Sequence, residues 1–293
     1  MRNFNAKLLS LAALIWVAGL PLAAQAPPSF PPAELDQLTA RIALYPDPLL
    51  AQVLAAATYP NDIPAAAQWA DQHHYLTGQA LANAITADQL PWDPSVQALL
   101  PFPSVLDMMA TDMNWTNQIG NAFLAEQQAV MDSVQRQRAV AARYGYLRTN
   151  PQVVVGAGPY ITILPANPAF VVAPAYNPAI VFAAPAPGFV VGGAIRFGFG
   201  VSIGAFFAPW GWVGGGIHFD WGAHAVFFNN VRWGRTWVNR AAYVHPYPAI
   251  HRPAPGAVRV AEAHTLEHRT EEERAAAREG RAAPREVHRG GRR

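Results

Sequence analysis

The chain has 293 residues, enough for one large or two modest domains. It contains no cysteine, which excludes disulfide cross-links, thiol nucleophiles, zinc–thiolate sites and lipid attachment through a thiol. Its 21 basic side chains exceed its 19 acidic ones only through Arg2 and Lys7 at the very start; beyond them the charges balance.

The balance is uneven along the chain. Residues 27–150 carry eleven acids and five arginines, and residues 151–240 carry four arginines and one aspartate. Residues 241–293 carry ten arginines, seven acids and five histidines. Such a tail can touch anionic surfaces, but it does not mark a dedicated nucleic-acid binder.

Residues 1–26 read as a cleavable secretory signal peptide. Arg2 and Lys7 give a positive start, residues 8–20 form an uncharged run of thirteen, and Ala24-Gln25-Ala26 offers the small-x-small pattern of a cleavage site. A run of that length falls short of the about 20 residues needed to cross a bilayer core. The expectation is an exported protein, cleaved after Ala26, that works in the periplasm or cell envelope. Residues 27–33, with Pro27, Pro28, Pro31 and Pro32, form a linker.

From Glu34 apolar residues recur at helical spacing: Leu35, Leu38 and Ile42, then Leu49, Leu50, Val53 and Leu54. Helices are predicted over 34–44, 48–58, 64–74, 77–88, 94–100, 103–112 and 115–144, the last ending at Gly145, where a left-handed cap is easy. Together they make a helical domain over 34–148. Asp47-Pro48 and Asp93-Pro94 are helix starts by a plain argument. The carboxylate accepts orphan N–H groups, and proline at the first position loses no hydrogen bond. His73 and His74 fall at a helix end, where a cation suits the dipole.

Near Pro151 the period changes to short β-prone runs at 153–155, 160–163, 170–172 and 180–182. A near-repeat, Asn167-Pro168-Ala169-Phe170-Val171 and Asn177-Pro178-Ala179-Ile180-Val181, predicts a turn and a strand each time. Residues 151–240 thus form a Pro/Gly/aromatic-rich antiparallel β region.

Within it, residues 197–217 are 21 uncharged residues, long enough to cross a membrane. Their first half alternates bulky Phe197, Phe199, Val201 and Ile203 with Gly198, Gly200, Ser202 and Gly204, a strand's period. Seven glycines and Pro209 make a helix in water costly, at about 1 kcal/mol per Gly and about 3 for Pro. The favoured reading is a glycine–aromatic strand, with a membrane-inserted segment as the alternative. Residues 241–293 lack large apolar side chains in number and read as a disordered tail.

Chemistry-bearing motifs are sparse. His218, Asp220 and His224 are weak candidates for a metal site, since His218 and Asp220 would share a strand face and His224 could return across Gly222. No Gly-x-Ser-x-Gly elbow, Walker loop, dinucleotide fingerprint or His-Glu-x-x-His is present, so no cofactor is expected. Trp210, Trp212, Trp221, Trp233 and Trp237 crowd one span, and with Arg235 they form a candidate contact surface; aromatic side chains with polar edges suit interfaces as well as cores.

Several of these segments resemble a known set of sequences. Ala43-Leu44-Tyr45-Pro46-Asp47-Pro48-Leu49-Leu50-Ala51-Gln52-Val53-Leu54, Ala57-Thr58-Tyr59-Pro60, Trp92-Asp93-Pro94-Ser95-Val96-Gln97-Ala98-Leu99 and Phe102-Pro103-x-Val105-Leu106-x-Met108-Met109 carry the likeness. It continues through Trp115-Thr116, Asn121-Ala122-Phe123-Leu124, Val134-Gln135-Arg136, Pro165-Ala166-Asn167-Pro168 and Pro174-x-Tyr176-Asn177-Pro178. Over about residues 34–240 the chain resembles the bacterial domain of unknown function 3300. The resemblance implies an exported or envelope-associated protein and brings no catalytic residues with it. Arg196 interrupts the apolar stretch that links the family with membranes.

The sequence therefore predicts an α+β exported protein with a non-enzymatic binding or structural role, its partner an envelope component: membrane, cell wall or protein. One rival is a hydrolase of envelope polymers using Asp107, Asp112 or Asp220 as acid and base, which requires two carboxyl groups about 5–10 Å apart. The other is an integral membrane protein anchored by 197–217.

Overall fold

Proline and aspartate punctuate the helix starts. The computed structural model describes residues 26–188, 192–212 and 216–247, so the signal-peptide reading of residues 1–25 and the tail beyond Tyr247 lie outside the described residues. Helices α1 (Pro32–Thr39), α2 (Asp47–Ala57), α3 (Ile63–Gln72), α5 (Pro94–Gln97) and α6 (Pro103–Thr111) all take proline in their first two positions. There the missing N–H costs no hydrogen bond. Helix α4 (Gly78–Ala87) follows α3. The first helix ends earlier than the 34–44 expected, yet the residues after it, apart from the exposed Arg41, stay buried through Tyr45.

The long helix expected over 115–144 is two, α7 (Met113–Ala125) and α8 (Gln127–Arg143). The break falls at Glu126, whose φ of −138° and ψ of 50° leave the helical region. Its cause is non-local. The Glu126 carboxylate accepts the Ser29 hydroxyl at 2.9 Å and the Phe30 N–H at 3.2 Å, and the Leu124 carbonyl accepts the Trp237 N–H at 2.8 Å. Helix α8 ends as expected at Gly145, φ +78°, with the Tyr146 N–H reaching back to the Ala141 carbonyl at 2.9 Å in a Schellman closure.

Helix α2 is the centre of the molecule. All its residues but Pro48 are buried, and its apolar and small side chains extend right round the axis, as a helix enclosed on every side requires. It packs on α5, α7 and the β region. Its approach to α7 is close enough to demand glycine: a Cβ on Gly120 would lie 2.0 Å from the Ala57 carbonyl oxygen.

The β region consists of small antiparallel sheets. Strand β1 (Val153–Gly156) pairs with β2 (Thr162–Pro165), β3 (Phe170–Val171) with β6 (Val201–Ser202), and β4 (Ala175–Tyr176) with β5 (Ile195–Arg196). Strands β7 (His218–Asp220), β8 (Ala225–Phe228) and β9 (Val231–Arg232) form a three-stranded meander. Its second turn, Asn229-Asn230, holds both residues at positive φ, the requirement of a two-residue I′ hairpin. The architecture is α+β.

Two expectations are corrected here. Residues 180–182 are not a strand: Asn177 accepts the Ala179 N–H at 3.0 Å and starts a short helix, α9 (Pro178–Val181). Asn167 makes the same bond to Ala169, but there the chain goes on into β3. In the segment 197–217, the alternating pattern yields only β6, followed by a 3-10 turn at Ala205–Trp210. Among the described residues no helix is long and apolar enough to cross a membrane.

One hydrophobic core joins both regions, running from Leu35 and the apolar residues of α2 from Leu49 to Ala57 to Trp210, Trp212, Trp221 and Trp233. A smaller cluster of Leu44, Ala141, Tyr146, Leu147, Val153, Ile163 and Val181 fastens the end of α8 to the β1–β2 hairpin and α9. The packed chain continues past residue 240, since His245 is 3% exposed.

Gly120→Ala is expected to destabilise the fold by at least the about 1–3 kcal/mol typical of overpacking, because the clash is with backbone. A shift in the urea midpoint at unchanged m-value checks this, and an unchanged midpoint would contradict the close α2–α7 approach.

Candidate functional site

Both ends of α2 are held by charge. At its N-terminus the carboxylate of Asp47, 3% exposed, meets Arg138 of α8, which is fully buried, at 2.7 Å. Asp47 was expected to cap its own helix; instead its oxygens accept the Arg138 guanidinium, the Ile163 N–H at 3.3 Å and the Trp221 indole N–H at 3.2 Å. Asp93 does cap as expected, accepting the Ser95 N–H at 2.9 Å and its hydroxyl at 2.6 Å.

Arg138 spends its remaining donors on the carbonyls of Ala43 at 2.8 Å, Tyr45 at 3.0 Å and Ile161 at 2.8 Å, and stacks 5.0 Å from the Trp221 ring. At the other end of α2 the buried Arg235 donates to the Thr58 carbonyl and hydroxyl, both at 2.8 Å, and lies 3.6 Å over the Tyr59 ring. Anion at the N-terminus and cation at the C-terminus both match the helix dipole.

The expected aromatic contact surface lies inside. Trp210, Trp212, Trp221, Trp233 and Trp237 are 1%, 6%, 5%, 2% and 8% exposed, and Arg235 is 9% exposed. Three of them turn their polar edges toward protein partners: Trp210 donates to the Gln97 side chain at 3.0 Å, Trp212 to the Ala98 carbonyl at 3.0 Å and Trp221 to Asp47 at 3.2 Å. The rings weld the β region onto α2 and α5 rather than facing solvent.

His218, Asp220 and His224 do not converge. His218 stacks flat on Phe227 at 4.8 Å, Asp220 accepts the Ala223 N–H at 2.9 Å, and His224 pairs with Asp132 of α8 at 2.8 Å. Among the described residues no group of three His, Asp or Glu side chains is placed to hold a metal ion. His73 and His74 stand at the end of α3, each with Nδ1 on a carbonyl of its own last turn, at 2.8 and 2.6 Å.

The carboxylates expected of a hydrolase are distributed likewise. Asp112 caps α7 through the Trp115 N–H at 3.0 Å and pairs with Arg41 at 2.8 Å; that N–H and Arg41 hold its carboxyl below the usual range. Asp107 borders a shallow depression beside Asp71 and His74.

The structure opens a different site, an apolar groove of about 600 Å³. Pro48 at the start of α2 and Leu164 and Pro165 of β2 are among its lining residues. Pro168, Ala169 and Val171 line it together with Ile203, Gly204 and Ala205, the Ile203 N–H donating to the Ala169 carbonyl at 3.0 Å, and Trp212, Ile217 and His218 complete the lining. His218 is the one titratable side chain among these. Leu164 is 47% exposed and its cross-strand partner Val154 45%, so apolar surface continues outward from the rim. No single stretch of sequence announced this groove, because its walls come from segments far apart in the chain. Arg138 was equally unmarked, although its place on the stripe of Met131, Val134 and Ala141 signals a buried charge.

The segment after β9 folds back as a strap. His245 sits against Phe228, Trp233 and Tyr247, its Nε2 on the Phe228 carbonyl at 3.3 Å and its Nδ1 on the Tyr243 hydroxyl at 2.9 Å. The carbonyl fixes the proton on Nε2, leaving Nδ1 to accept. Burial pulls the ring's pKa below its usual value, outweighing the Phe228 carbonyl and the Asp93 charge, which act the other way. A depressed native value means that this ring's contribution to stability is complete above pH about 6.5 and is lost as the pH falls toward that native value. Unfolding midpoints measured from pH 8 to 5 should therefore fall less steeply in His245→Gln than in the parent chain. Parallel profiles would contradict a neutral, buried His245.

Residues 31–247 match the family described as "Protein of unknown function (DUF3300)". The chain is 37% identical over 187 residues to "Uncharacterized protein YacH" of Escherichia coli (strain K12), an alignment that takes in 53% of this chain and 30% of that relative. The chain therefore spans less than a third of the length of the relative it matches. No solved structure matches it. With the family match extending from just before α1 to the end of the strap, the chain belongs to the DUF3300 family.

Proposed function

We propose that this chain is an exported protein of the cell envelope that acts without catalysis, binding an apolar hydrocarbon chain in the groove beside α2. The observation that carries this reading is the groove itself. Its volume of about 600 Å³ falls in the range of ligand sites, about 300–1,000 Å³, and its side chains are aliphatic, proline or tryptophan apart from His218. An aliphatic cleft of this kind offers dispersion and burial of hydrocarbon but few directional contacts.

Two further features support it. Residues 1–26 have the order of an export signal, and an exported chain meets the lipids of the envelope. The glycine–aromatic segment singled out in the sequence contributes Ile203, Gly204, Ala205 and Trp212 to the groove's lining. Its place in the reading is that of a wall, not of an exposed aromatic face. Asp107, Asp112 and Asp220 are not among the groove's lining residues, so the hydrolase reading finds no support there.

The test uses the purified mature chain and N-phenyl-1-naphthylamine, a neutral apolar dye that brightens in hydrocarbon surroundings. A saturable rise in fluorescence is expected from the parent chain. Ala169→Trp and Ala205→Trp place large rings in the groove from exposed positions and should reduce dye affinity by at least about ten-fold, or about 1.4 kcal/mol, at unchanged unfolding midpoint. Unsaturable binding, or equal affinity in both variants, would overturn the assignment. Recovery of the protein in the cytosol with residues 1–26 intact would overturn the export reading separately.

A further inference from the structure

The groove ends where the outer face of the three-stranded sheet begins. His218, which lines the groove, is the cross-strand partner of Phe227 on β8, and Phe227 is in turn the partner of Arg232 on β9. Directly opposed residues share a face, so His218, Phe227 and Arg232 form one row across the sheet. Neighbouring strands lie about 4.8 Å apart, which puts Arg232 about 10 Å from the groove's edge. The Phe227 ring lies flat on His218, with centroids 4.8 Å apart and planes 5° from parallel, so apolar surface continues from the groove toward the guanidinium. Arg232 is exposed and takes part in none of the ion pairs among the described residues.

Resting on the reading of the groove as a hydrocarbon site, we propose that its ligand is a single-chain amphiphile with an anionic head. The chain occupies the groove, and the head lies over Phe227 against Arg232. Asp220 shares this face two residues on from His218, at the other end of β7 and opposite Ala225, and its carboxylate accepts the Ala223 N–H at 2.9 Å. The row that leads out of the groove thus ends on a cation.

The experiment measures displacement of N-phenyl-1-naphthylamine from the mature chain by dodecanoate, dodecanol and dodecylamine, each below its micelle concentration. One exposed charge contact contributes at most about 1 kcal/mol, so dodecanoate should displace the dye at about five-fold lower concentration than dodecanol. Dodecylamine should be weaker than dodecanoate. Arg232→Gln should abolish the dodecanoate advantage while leaving dodecanol unchanged, and about 1 M NaCl should compress it in the parent chain.

Equal displacement by all three ligands, or a loss in Arg232→Gln that is the same for dodecanol, would overturn the head-group assignment while the groove reading stands. Failure of all three to displace a dye that binds saturably would overturn the hydrocarbon reading itself.

Discussion

Asp47 and Arg138 meet at 2.7 Å with both side chains almost wholly buried, and the rest of the fold is arranged to make that tolerable. Removing two charges from solvent costs several kcal/mol per ion, and the attraction between them offsets the cost only when their other lone pairs and protons are also satisfied. Here the β region supplies the Ile163 N–H and the Trp221 indole to the aspartate, and the Ile161 carbonyl to the arginine. The carbonyls of Ala43 and Tyr45, from the turn before α2, complete the set. The helical region cannot satisfy this pair alone.

The opposite end of α2 repeats the arrangement. Thr58 caps the helix, and Arg235, beyond β9, reaches back to its carbonyl and hydroxyl. A helix enclosed on all sides is thereby fixed at both termini by side chains from distant parts of the chain. The consequence reaches the groove. Pro48 follows Asp47, Leu164 follows the Ile163 that Asp47 holds, and His218 lies on the same strand that leads into Trp221. Pro48, Leu164 and His218 of the groove are therefore neighbours in sequence of residues that hold the buried pair.

Local rules made much of this legible. Asp93, Asn167 and Asn177 each accept the N–H two residues on, as their place before Pro or a turn implies. Gly145 ends α8 where a left-handed residue was expected. What escaped the sequence was non-local. Glu126 breaks a helix because Ser29, Phe30 and Trp237 claim groups around it, and none of them is near in sequence. Asp47 looks locally identical to Asp93, yet a fully buried Arg138 some 90 residues away redirects it. The tryptophan crowd has the composition of either a surface or a core. Partners for the indole N–H groups of Trp210, Trp212 and Trp221 on α5, the residue after it and the start of α2 decide for the core.

The central claim is that the helical and β regions are one cooperative unit joined through α2. Native-state hydrogen exchange of the chain from residue 27 onward, read peptide by peptide across a denaturant series, tests it most directly. The account predicts that amides of α2, of β2 around Ile163 and of β7–β8 open together, with a single free energy equal to that of global unfolding. A β region that exchanges through its own lower-energy opening while α2 stays protected would contradict it, and the groove could not then be a preformed site.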